Sequence, residues 1–189
     1  MRVITGSAKG KRLKEVPGNT TRPITDRVKE ALFSILGEWI TDSQMLDLFG
    51  GTGSVGIEAL SRGGGRVVFV EKAAAAQRVL QENLRLTQLA DRAELVRGDA
   101  FKYLERDPLG PFDIIYIAPP QYEGLWAKAL TLIDARPDCL TEEGIAIVQI
   151  HPKEFAELEL INLVLYDQRQ YGSTMVCFYE KSWDDEEDE

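Results

Sequence analysis

Asp47 stands directly before a glycine-rich turn, in the stretch Leu46-Asp47-Leu48-Phe49-Gly50-Gly51-Thr52-Gly53-Ser54-Val55-Gly56. Glycines have no Cβ and tolerate positive φ, so backbone N–H groups in such a turn can close on a ligand. A carboxylate at its start repels phosphate and attracts an ammonium or a sulfonium. Asp47, Phe49, Gly50, Gly51, Thr52 and Gly53 are therefore candidate contacts for a nucleotide-like ligand that carries positive charge. The spacing Gly51-x-Gly53-x-x-Gly56 also fits the dinucleotide fingerprint, which wants an acid about 20 residues on for the ribose. Glu71 meets that need, at the end of the apolar run Val67-Val68-Phe69-Val70. A nicotinamide dinucleotide and S-adenosylmethionine both call for this carboxylate, because two ribose hydroxyls suit a bidentate acceptor. Asp47 tips the choice towards S-adenosylmethionine. The glycines alone are also compatible with a tight turn that binds nothing.

Two further segments end apolar runs in the same way. Lys72 follows Glu71, and Gly98-Asp99-Ala100 follows Ala93-Glu94-Leu95-Val96-Arg97. Asp99 is placed to accept from an adenine amino group, or to cap a helix that begins near Ala100; the two roles are not exclusive. The last segment is Ala118-Pro119-Pro120-Gln121-Tyr122. Two prolines fix an extended backbone, so the carbonyls cannot turn away. Tyr122 offers a flat face on which a base can stack. An exocyclic amine is a poor nucleophile because its lone pair is delocalised into the ring. Acceptors on its N–H groups localise that lone pair, and much of the catalysis then comes from positioning and electrostatics. A purely structural turn with Tyr122 in the core is the competing reading.

Alternating elements must position these segments. Apolar runs at 45–49, 66–71, 93–97, 112–117 and 144–150 predict strands. Helical stretches at 54–62, 73–87, 100–106 and 123–135 lie between them. Such near-continuous apolar runs suit a parallel sheet covered on both faces, a doubly wound α/β architecture. Ligands then bind beyond the carboxyl ends of the strands, near the switch in strand order. The segments 160–166 and 174–179 read as a terminal antiparallel hairpin. At the other end, Arg2-Val3-Ile4-Thr5 and Lys11-Arg12-Leu13-Lys14-Glu15-Val16 predict a short hairpin around a glycine-containing turn. Thr25 is an expected N-cap, followed by helical spacing of Val28, Ala31, Leu32, Ile35, Leu36 and Trp39.

The chain has 189 residues, of which 44% are hydrophobic, enough for one domain with a core. No apolar run is long enough to span a bilayer, and Met1-Arg2-Val3-Ile4-Thr5-Gly6 lacks a signal-peptide core. Cys139 and Cys177 are too few for a disulfide framework and are expected to be reduced. A cytoplasmic setting fits, or an organelle matrix in a eukaryote. The single histidine, His151, leaves little for metal or Ser-His chemistry, so no metal is expected and His151 reads as a strand-end structural residue.

Net charge is −9, yet residues 1–36 carry a net +5 and the tail Asp184-Asp185-Glu186-Glu187-Asp188-Glu189 carries −6. Phosphate contacts would therefore come from the N-terminal arm, with Lys9, Lys11, Arg12, Arg22 and Arg27 as candidates. A solvated basic hairpin with no partner is the alternative. The acidic tail is expected to be disordered.

Taken together, these residues resemble the small bacterial-type 16S ribosomal RNA guanine-N2 methyltransferases. The matching stretches are Arg2-Val3-Ile4-x-Gly6 with Lys9-Gly10-Lys11-Arg12-Leu13, and Thr21-Arg22-Pro23-x-Thr25-Asp26-Arg27-Val28-Lys29-Glu30-Ala31-Leu32-Phe33. The turn Asp47-Leu48-Phe49-Gly50-Gly51-Thr52-Gly53 and the closing Tyr171-Gly172-x-Thr174 complete the set. The Thr-Arg-Pro to Leu-Phe segment is the specific one; the glycine motif is shared by many methyltransferases. The resemblance implies a seven-stranded, mostly parallel class I fold that uses S-adenosylmethionine to methylate a guanine amino group in small-subunit rRNA, free or in an assembling particle. It implies a basic extension over residues 1–40, a methyltransferase domain over 41–181 and a tail over 182–189, acting as a monomer. The family's loop usually opens with Asp or Asn before Pro-Pro; here Ala118 holds that place. A catalytically weakened, methyltransferase-like RNA-binding assembly factor is therefore the alternative function.

Overall fold

A computed structural model describes residues 1–18 and 23–183; Arg22 and the acidic residues 184–189 lie outside the described residues. Seven strands form one sheet: β1 Gln44–Asp47, β2 Arg66–Glu71, β3 Ala93–Arg97, β4 Phe112–Ile117, β5 Leu140–Ile150, β6 Leu163–Tyr171 and β7 Thr174–Lys181. Their spatial order is β3-β2-β1-β4-β5-β7-β6. β1 to β5 pair in parallel, and β7 inserts antiparallel between β5 and β6. The strand order reverses between β1 and β4, where the chain leaves one side of the sheet for the other.

Five α-helices cover the faces: α1 Asp26–Leu36, α2 Ser54–Ser61, α3 Ala74–Thr87, α4 Ala100–Leu104 and α5 Leu125–Asp134. Alternation along the strands splits the apolar interior in two. Met45, Phe69, Tyr116, Ile147 and Phe178 join Leu32 and Phe33 of α1, Leu60 of α2 and Leu80 of α3 on one face. Leu46, Val68, Ile115, Val148 and Cys177 join Leu104 of α4 and Trp126, Leu130 and Ile133 of α5 on the other. Thr25 caps α1 through its side chain, which accepts from Val28 N. No helix among the described residues is long and apolar enough to cross a membrane.

Several element ends differ from the sequence reading by one or two residues, and three differ by more. β5 begins at Leu140 rather than 144, because Glu142-Glu143-Gly144 is absorbed as a register shift against β4 between Phe112 and Ile114. The terminal hairpin extends over 163–171 and 174–181, closed by a two-residue turn at Gly172. The N-terminal arm forms only a minimal hairpin: Arg2 and Arg12 bridge antiparallel, with Val3 N donating to Lys11 O at 2.9 Å and Leu13 N to Met1 O at 3.1 Å. Donors between its two halves also bond to α2. Ile4 N and Thr5 N donate to the Glu58 carboxylate at 2.8 and 3.2 Å, and Ser7 N donates to Ser61 O at 2.8 Å. Gly6, at φ +93°, lies so close to α2 that a Cβ would sit 1.8 Å from Ser61 O.

Glu58 gathers this contact. It is fully buried and also faces Lys29 Nζ at 3.5 Å and Arg62 Nε at 3.3 Å. Burial draws the Lys29 ammonium below its ordinary range, and Glu58 pulls the other way. Removing one partner of a buried ion pair leaves the other charge uncompensated. Glu58→Ala is expected to cost about 3–5 kcal/mol in urea unfolding. It is also expected to open trypsin cleavage at Lys9, Lys11 or Arg12, and retention of the wild-type digestion pattern would contradict this role for Glu58.

Candidate cofactor and substrate site

The turn after β1 is held by backbone and by one acid. Gly50 N donates to Val70 O at 2.8 Å, and Gly53 N donates to Gly50 O at 2.8 Å. The Glu71 carboxylate accepts from Gly51 N through Oε2 at 2.8 Å and from Ala73 N through Oε1 at 2.9 Å. Each oxygen keeps a second lone pair free. Gly53, at φ +82°, is packed so tightly that a Cβ would stand 2.1 Å from Leu80 Cδ1. At Gly51 a Cβ would meet nothing nearer than 4.0 Å, so this glycine leaves open room for a ligand.

A cavity of about 760 Å³ lies over the carboxyl ends of β1 to β5. Asp47, Phe49, Gly50, Gly51, Thr52, Glu71, Lys72, Asp99, Ala100, Ala118 and Pro120 all line it. Eleven of the fifteen residues singled out from the sequence for cofactor or catalysis therefore share one cavity. Gly53 lies beneath the turn. Gln121 and Tyr122 stand outside the lining on the exposed part of the loop, and Pro119 is likewise not part of the wall.

Asp47 is 2% exposed. Burial drives its carboxyl up to about 8, opposed by a hydrogen bond from the Gly56 backbone and reinforced by the negative charge of Glu71. A cation placed beside this carboxyl would favour its ionised form. Asp99 is the N-cap of α4, its Oδ1 accepting from Phe101 N at 2.9 Å and Lys102 N at 3.1 Å. Its other oxygen is free of that duty, so the cap leaves capacity for a ligand amine. Phe49 meets Phe101 edge-on at 6.2 Å and gives this end an apolar wall.

Tyr122 is 65% exposed and has φ +65°. Its N–H donates to Glu154 Oε1 at 2.6 Å, and its ring lies 5.7 Å from that of His151. The core placement of Tyr122 is thereby excluded. His151 caps the turn at Pro152–Glu154, Nδ1 accepting from Lys153 N at 3.0 Å while Glu154 Oε2 accepts from His151 N at 3.1 Å. His151 thus has the structural role expected of it.

Lys9, Lys11, Arg12 and Arg27 are exposed, and none forms an ion pair among the described residues. The two Cys thiols are free and buried. No cluster of His, Cys, Asp and Glu able to hold a metal occurs among the described residues.

Several contributors were not read from the sequence. Asn83 of α3 accepts from Lys14 N at 2.7 Å and donates to Thr52 O at 2.9 Å, tying the arm to the glycine turn. Glu15, Val16, Pro17, Pro23 and Ile24 form the wall contributed by the arm. Tyr116 and Gln149 line the cavity beside Ala118 and hydrogen-bond to each other. As polar residues inside apolar strand runs they gave no signal beyond their type.

The strand order, the antiparallel β7 and the acid–glycine turn at the end of β1 define the class I methyltransferase fold. The family described as "Conserved hypothetical protein 95" matches residues 1–180, and the chain belongs to it. "Putative rRNA methyltransferase YlbH" of Bacillus subtilis (strain 168) is 39% identical over 185 residues, covering 96% of this chain and 99% of its own. "Ribosomal RNA small subunit methyltransferase D" of Escherichia coli (strain K12) is 30% identical over 188 residues, covering 100% and 93%. The solved structure of "Putative methyltransferase yhhF from Escherichia coli" superposes with a TM-score of 0.81 at 32% identity, covering 96% of this chain and 97% of that one.

The raised Asp47 value has a consequence for stability. Between its ordinary 3.8 and about 8, the unfolded chain ionises this group and the folded chain does not. Asp47 therefore destabilises the ligand-free fold progressively as pH rises through that interval. In thermal melts, Asp47→Asn is expected to remove this decline and to melt at least about 2 °C above wild type at pH 8. Parallel pH curves for the two proteins would contradict the assignment.

Proposed function

We propose that the protein transfers the methyl group of S-adenosylmethionine to the exocyclic N2 amine of a guanine in small-subunit ribosomal RNA. One observation carries the reading: a single cavity joins the acid–glycine turn to the diproline loop. End-to-end relatedness to proteins named as rRNA methyltransferases supports it.

The residues present fit this cofactor. Asp47 offers a buried carboxyl that gains from a nearby cation, and Gly51 leaves space for the aminoacyl end. Glu71 keeps lone pairs for two ribose hydroxyls, with Lys72 beside it. Asp99 and Ala100 meet the base at the far end, against Phe49. Gly50, Thr52 and Gly53 set the backbone of the turn. When bound, S-adenosylmethionine supplies an electrophilic methyl carbon on a sulfonium.

The loop at 118–122 receives the nucleobase. Tyr122 presents its ring to solvent on a backbone that Glu154 fixes, and the base stacks there. Pro119 and Pro120 hold the intervening carbonyls in place. Lys9, Lys11, Arg12 and Arg27 provide exposed cations for phosphates, and Arg22 extends that set in sequence. Their contribution is sequence-independent and weakens with salt. The second reading, an assembly factor that binds RNA without turnover, rests on Ala118 at the cavity wall.

Incubation with labelled S-adenosylmethionine and 16S rRNA or small-subunit particles, followed by nucleoside analysis, is expected to give N2-methylguanosine. Tyr122→Ala is expected to lower kcat/KM for RNA about 5- to 100-fold while cofactor affinity stays unchanged, since base stacking contributes about 1–3 kcal/mol. Label on another base would displace the guanine assignment. Cofactor binding with no transfer to any particle would favour the assembly factor.

A further inference from the structure

Methyl transfer to a planar amine needs acceptors for its N–H groups, and the diproline loop brings no polar side chain to the cavity wall: Ala118 and Pro120 are its contributions. Gln121 lies exposed on the turn, outside the wall. Glu123 reaches the lining but is exposed on the same turn. Beside the backbone carbonyls that the prolines fix, a side-chain acceptor must come from another element.

The sheet provides one. β4 and β5 are parallel, with Tyr116 opposite Ile147 and Ile117 opposite Val148. Ala118, one residue past the end of β4, continues this register toward Gln149. Period-two alternation puts Tyr116, Ala118 and Gln149 on the same face, at the strand ends that border the cavity. Tyr116 is 2% exposed, and its hydroxyl donates to Gln149 Oε1. That bond fixes the amide from below. A carbonyl oxygen has two lone pairs, so Oε1 keeps one for a second donor. Asp47 is opposite Tyr116 in the β1–β4 register, so the three side chains form a polar row across β1, β4 and β5.

Resting on the methyltransferase reading, we propose that Gln149 is the side-chain acceptor for the substrate amine, oriented by Tyr116, in the place Ala118 leaves vacant. The amine nitrogen attacks the methyl carbon with its lone pair. The carbon–sulfur bond breaks, and its electron pair returns to sulfur, leaving a neutral thioether. Positive charge develops on the nitrogen, and Gln149 Oε1 accepts from its N–H as it does so. The surplus proton departs to solvent at the cavity mouth; Gln149 itself is not protonated.

The test uses the full chain with labelled S-adenosylmethionine and the RNA particle. Gln149→Leu is expected to lower kcat about 10- to 100-fold, the loss of one hydrogen bond to a developing charge. Cofactor affinity stays within about twofold, which also reports that the variant is folded. Tyr116→Phe is expected to lower kcat by a smaller factor, about 3- to 10-fold, because Gln149 remains but is less well held. Adding Ala118→Asp to Gln149→Leu is expected to restore at least about tenfold, by supplying an acceptor from the adjacent strand. Wild-type turnover that Gln149→Leu leaves within twofold overturns the assignment and leaves methyl transfer intact. A wild-type chain that is inert until Ala118→Asp is introduced also overturns it, since no acceptor then exists in the natural site. If both bind cofactor and neither transfers a methyl group, the methyltransferase reading fails and this assignment falls with it.

Discussion

The reversal of strand order between β1 and β4 is the constraint on which the site depends. To its left the chain moves outward through β2 and β3; to its right it moves outward through β4, β5 and β7. No crossover covers the carboxyl ends at that point, so a crevice remains between two rigid parallel strands. The main chain pairing of Asp47 with Tyr116 spans it. The candidate ligand contacts are arranged around that pair: the glycine turn follows Asp47, the diproline loop begins two residues after Tyr116, Glu71 ends β2, and Asp99 stands two residues beyond β3.

The same geometry explains why a buried acid persists at Asp47. An isolated carboxyl there is unfavourable, and burial together with Glu71 makes it more so. The surrounding sheet is stable enough to hold it, as proteins commonly do at sites that act. Asp47 has one backbone donor, from Gly56, whereas Glu71 accepts from Gly51 N and Ala73 N on its two oxygens.

Much of this was legible from the chain. Apolar runs ending in acids or prolines located β1 to β4, and the glycines placed the first turn. Those signals are local, and local signals report strands and turns well. What escaped was set by contacts between distant segments. The arm reads as a hairpin because its own pattern alternates, and its ends do pair, but the donors of Ile4 and Ala8 find Glu58 and Ser61, more than 50 residues away. Glu58 and Asn83 sit on helices where polar residues normally face solvent, and their burial follows only from what packs against them. Tyr116 and Gln149 look like ordinary members of apolar strands until pairing of β4 with β5 sets them diagonally on one face, where they hydrogen-bond. The left-handed backbone at Tyr122 follows from Glu154 and from the turn, neither of which is visible in the diproline motif itself.

Helix α2 joins two jobs at its ends. Its first residue follows Gly53 directly, and its last turn carries Glu58 and Ser61, which hold the arm. Eight residues of helix span roughly 12 Å and behave as a short rod. On the proposed function, an arm drawn onto nucleic acid would push through this strut on the floor of the cofactor cavity. Thermodynamic reciprocity would then return to each guest, in equal measure, whatever advantage it gives the other.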